Sequence, residues 1–99
     1  MGLEERIACT APPQLGRVLA ALSADGYASM IAMVDGALVM PKAPPPTDWR
    51  DARIRTPDGT VAVVRHEGAV AVVVFGNADE RMRTAQARVL AAVRAALDG

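Results

Sequence analysis

Two short turns do most to limit what this chain can become. Pro57-Asp58-Gly59 and His66-Glu67-Gly68 divide residues 51–75 into three segments of strand length, rich in Val, Ala, Ile and Thr. Connections this short cannot make the crossover that parallel strands need, so the three segments, 51–56, 60–65 and 69–75, read as an antiparallel meander. A third turn, Asp35-Gly36, joins the apolar stretch 27–34 to a short returning strand at 37–40 as a hairpin.

Helical periodicity brackets these strands. Leu15, Val18, Leu19 and Leu22 form an i, i+3, i+4, i+7 stripe within residues 10–24, with Thr10 as cap, Pro12 and Pro13 in the first turn, and Asp25-Gly26 as the stop. Residues 77–97 form the second helix, with Asn77 as cap and Glu80 at its third position. Its inward stripe is Met82, Ala85, Val89, Ala92, Val93 and Ala96, and Arg81, Arg83, Arg88 and Arg94 occupy most of the rest of its surface. Between hairpin and meander, the proline-rich segment 41–48 is an extended connector, with the only tryptophan, Trp49, just beyond it.

These elements define an α+β fold in one domain spanning residues 1–99, with a five-stranded antiparallel sheet and the N- and C-terminal helices on one face. Strands apolar on both sides belong in the centre of a sheet and alternating ones at its edges. Numbered along the chain, the strands then take the order 2-1-5-4-3. That order sends the connector from one edge to the other, about 19 Å at a spacing of about 4.8 Å per strand, a distance that the ten residues 41–50 between the two strands can cover with roughly 30 Å of extended chain. The second sheet face then has no helix layer, only this strap, and an apolar face without a layer predicts a partner.

Eleven basic and eleven acidic side chains cancel, which argues against nucleic acid and anionic membrane surfaces as partners. The lone Cys9 permits no internal disulfide and fits a reducing compartment. The start at residues 1–6 carries acids where a signal peptide is basic, and Arg6 stands where a myristoylation motif at Gly2 needs Ser or Thr. A cytoplasmic location is the expectation. With an aromatic fraction of 3%, the core must be aliphatic.

The hairpin Ile31-Ala32-Met33-Val34-Asp35-Gly36-Ala37-Leu38-Val39, and the passage from the meander at Gly59 into the Arg- and Ala-rich final helix ending near Leu97, resemble the roadblock/LC7 family. The likeness implies the 2-1-5-4-3 sheet and a homodimeric or heterodimeric scaffold that regulates a small GTPase or a signalling complex. Where that family has a middle helix, used in its dimerisation, this chain has the proline segment.

No residue set carries the pattern of a catalytic, cofactor or metal site. His66 lies in a turn beside Glu67, and Asp48 and Asp51 flank Trp49-Arg50 without a third ligand. The expected role is a non-catalytic protein-protein interaction module, a homodimer with a protein partner and no cofactor. Its candidate interface residues are Met30, Ile31, Met33, Trp49 and Ile54. Trp49 serves either to anchor the strap or to enter a partner. The alternative is a small ligand-binding or accessory enzyme subunit with a pocket near Trp49.

Overall fold

A computed structural model describes residues 3–40, 43–76 and 79–98. The elements are β1 (Leu3–Ala8), α1 (Leu15–Ala24), β2 (Met30–Val34), β3 (Ala37–Leu38), β4 (Asp51–Thr56), β5 (Gly59–His66), β6 (Ala69–Val74) and α2 (Glu80–Asp98). All strand pairs are antiparallel, and the six strands lie in the order β1-β6-β5-β4-β2-β3. The expected α+β class, antiparallel sheet, hairpin and meander are therefore present. The expected number and order of strands are not.

Two corrections account for the difference. The first is β1, whose sequence LEERIA lacks any apolar run. It is held by its ladder to β6 and by Gln86 of α2, whose Nε2 donates to the carbonyls of Leu3 (3.2 Å) and Val72 (3.1 Å). The second is the seat of the β2-β3 hairpin, which joins β4 instead of β6. An alternating strand is an edge only in a sheet buried on both sides. Here one face is open, so alternation is what an interior strand shows: Ala52, Ile54 and Thr56 of β4 are buried while Arg53 and Arg55 turn the other way.

The connector consequently passes one strand, β2, and not the whole sheet. It does so on the helix side, where Pro45 lies against Gly16 of α1 and Trp49 is buried with Nε1 donating to the Pro13 carbonyl (3.2 Å). It does not strap the open face. Pro41 and Lys42 of the connector lie outside the described residues, as do Gly2 and the expected cap Asn77. The cap observed on α2 is Asp79, whose Oδ1 accepts the Met82 N–H (2.9 Å). Helix α1 starts after the proline pair, with Gln14 at its N-cap and no side-chain cap, later than expected.

Both helices pack on one sheet face around a single core. Leu15, Val18 and Leu22 of α1 and Ala85, Val89 and Val93 of α2 meet Ile54, Val61, Val63, Val70, Val72 and Val74 of the sheet. Ile31 and Val34 both join them although they are three residues apart, because the register shifts between Ile31 and Met33 at a β-bulge. Among the described residues no helix is long and apolar enough to cross a membrane.

Candidate protein-binding face

The ladders fix which side chains share the open face. One cross-strand row runs through all six strands: Leu38 beside Met33, then Arg53, Ala62, Val73 and Glu4. A second row holds Asp51, Val64, Ala71 and Arg6, and a third Met30, Arg55 and Thr60. Neither helix covers this side.

The middle of the face is small and apolar. Ala62 and Ala71 are fully buried even without a layer above them, because the longer neighbours close over them. Arg53 bends towards Phe75, its guanidinium 4.9 Å from the ring centroid, and is held from behind by Asp51 (3.3 Å). The apolar groups left standing above the face are Leu38, 84% exposed, and Phe75, 53% exposed, with Met30 and Met33 half-buried beside them. Methionine, arginine and aromatic side chains around an apolar centre are the composition of a contact surface.

The face is backed by fixed polar joints. At the β2-β3 turn, Asp35 adopts a φ of 52° and accepts the backbone N–H groups of Arg50 (2.8 Å) and Asp51 (2.9 Å). The bonds from Asp51 and then Arg50 hold its pKa below the usual carboxylate value. At the opposite end of β4, the Tyr27 hydroxyl donates to Asp58 (2.7 Å), and Arg81 binds Asp58 (3.4 Å) and the Pro57 carbonyl (2.8 Å). The Tyr27 hydrogen bond, and then Arg81, lower the Asp58 pKa, while burial raises that of Tyr27. These joints fix the ends of β4, the strand that carries Arg53 across the middle of the face.

Of the five candidate residues, Met30 and Met33 lie on the open face. Ile31, Trp49 and Ile54 are turned into the core, at 5%, 1% and 0% exposure. Trp49 is thus an anchor: its ring also lies 6.0 Å from the Arg65 guanidinium, which donates to the Trp49 carbonyl (2.7 Å) and to Asp48 (2.9 Å). The cavity beneath the connector, about 130 Å³, is lined by Leu19, Ile31, Val39 and Pro45 among others, and not by Trp49. Sequence reading missed Leu38, Arg53 and Phe75. The two-residue turn at Asp35-Gly36 already sets Leu38 opposite Met33, and Phe75 shares the parity of Ala71 and Val73.

Cys9 and His66 border one cavity of about 180 Å³, yet they belong to opposite sides of the sheet. Cys9 follows the inward Ile7 by two residues and packs against the core, whereas His66 pairs with Ala69 on the open face. A larger cavity, about 460 Å³, opens between residues 8–14, Arg17 and the end of α2. Among the described residues no group of three or more His, Cys, Asp or Glu could hold a metal ion. Compared with known proteins, the chain matches no family model, no curated protein and no solved structure.

Proposed function

We propose that this protein is a non-catalytic protein-protein interaction module, acting as a homodimer, and that the open sheet face receives a protein partner. The observation that carries the reading is the placement of both helices on one face, which leaves Leu38, Met33 and Phe75 on the other with no layer over them among the described residues. Apolar side chains gathered on an uncovered face and rimmed by charge are a mark of protein-protein contact sites. Arg53 and the exposed Arg55 suit a partner that presents carboxylates around an apolar centre. The narrower role of regulating a small GTPase or signalling complex draws only on the sequence likeness of residues 31–39 and 59–97.

The test is site-specific photo-crosslinking in the host cell, with a benzoyl-phenylalanine in place of Phe75 and, as control, in place of Arg94 on the helix side. The reading expects one defined protein adduct from position 75 that disappears in Met33→Glu. Equal, diffuse labelling from both positions contradicts it.

A further inference from the structure

The two edges of the sheet are unlike. β3 has two residues, whereas β1 has six and, among the described residues, no neighbour on its outer side. The Cys9 N–H donates to the Gly68 carbonyl (3.1 Å), and this fixes the phase of the β1-β6 ladder. Leu3, Glu5 and Ile7 direct their backbone groups at β6, and Glu4, Arg6 and Ala8 direct theirs at the free edge. The Gln86 contacts to the Leu3 and Val72 carbonyls sit on the β1-β6 seam, as that phase requires. On the helix side Leu3 stays 41% exposed and Glu5 is exposed, so α2 stops short of the edge and leaves room beside it.

We infer that β1 pairs antiparallel with β1 of a second copy, about a two-fold axis through Glu5, to make one continuous twelve-stranded sheet. This inference names the contact of the homodimer proposed above and does not depend on what the open face binds. In this register Glu4 lies opposite Arg6 of the second copy, twice. Each is a hydrogen-bonded pair, so both outward backbone groups of Glu4 and Arg6 are used. Leu3 lies opposite Ile7 of the second copy, also twice, which covers the exposed leucine. Charges on an edge ordinarily guard it against pairing. Here Glu4 and Arg6, which pair with each other within the strand at 2.6 Å, are opposite in sign on either side of Glu5, and they select one register: a shift by one residue of the axis sets Glu4 against Glu4, or Arg6 against Arg6. The opposed Glu5 pair at the axis weakens the contact. An interface limited to one strand belongs to the small, reversible class, with a Kd in the range of roughly 10 μM to 1 mM.

Sedimentation velocity of the full chain up to about 1 mM, roughly the weak limit of that range, tests this. Arg6→Pro removes an N–H that points at the free edge and no bond to β6, and should abolish the dimer with unchanged circular dichroism. Because a proline can also harm folding, a second pair of variants decides. Glu4→Arg and Arg6→Glu should each dimerise at least about tenfold more weakly than the parent, and an equimolar mixture of the two should form a heterodimer. Glu5→Gln should tighten the parent dimer. A parent chain that stays monomeric, charge variants that dimerise as the parent does, or a mixture that stays monomeric each overturns the inference. None of these results bears on the adduct expected from position 75.

Discussion

The two faces of the sheet come from the same strands and differ in residue type and in what covers them. On the covered face, Ile54, Val61, Val63, Val72 and Trp49 are at most 1% exposed and meet two helices and the connector. On the open face the corresponding positions are Arg53, Ala62, Val64, Ala71 and Arg55, and the largest apolar groups, Leu38 and Phe75, stand in water. The first set holds the fold, because each side chain removes its whole apolar surface from solvent. Of the second, Arg53, Arg55, Leu38 and Phe75 can be exchanged at little cost to folding, whereas Ala62 and Ala71 are fully buried.

That contrast can be broken by substitution. The largest effect is expected from Trp49→Ala, which empties the most voluminous fully buried site and frees the connector from the Pro13 carbonyl. A loss of about 3–5 kcal/mol is expected by urea denaturation, and a loss below about 1 kcal/mol would show that the connector is not a structural part of the covered side. Gln86→Leu keeps the volume in α2 but removes the donor to Leu3 and Val72. It should cost about 1 kcal/mol and speed hydrogen exchange in β1 more than in β5, since β1 has few other ties.

The polar joints make stability depend on pH. The folded-state pKa values of Asp35 and Asp58 lie below their unfolded values. Their stabilisation is therefore present above about pH 4 and is lost as pH falls through the folded values. Asp35→Asn should flatten the acid limb of a pH-stability profile. Tyr27 has the opposite sign, with its folded pKa raised by burial. Its contribution is complete below about pH 10 and declines as pH rises towards the folded value, so Tyr27→Phe should flatten the alkaline limb. The smallest effect belongs to the open face: Met33→Glu with Leu38→Glu should stay within about 1 kcal/mol of the parent.

Much of this architecture was legible in the sequence, and the parts that were not share a physical cause. Asp35-Gly36, Pro57-Asp58-Gly59 and the stripe from Ala85 to Ala96 state their structure locally, through turn chemistry and helical period. Strand β1 was hidden because LEERIA is stabilised by backbone pairing and by Gln86, neither of which leaves a hydrophobic pattern. The inward set of β2 was hidden by the bulge: neither the odd nor the even residues of 30–34 face the core, but Ile31 and Val34 do. The seat of the hairpin was hidden because alternation, as in β4, marks an edge only in a sheet covered on both sides. With one face open it marks an interior strand. The candidate face was half legible, since Met30 and Met33 lie on it, whereas Phe75 and Arg53 come together only once β4, β5 and β6 are in register.

The proposed role requires an open face that folding can spare and that a protein partner covers. The adduct yield from a photo-crosslinker at position 75, in the Met33→Glu and Leu38→Glu double variant with its denaturation midpoint measured in the same preparation, tests it most directly. The expected result is a stability within about 1 kcal/mol of the parent and no adduct. An adduct as strong as in the parent, or a midpoint that falls as far as in Trp49→Ala, contradicts it.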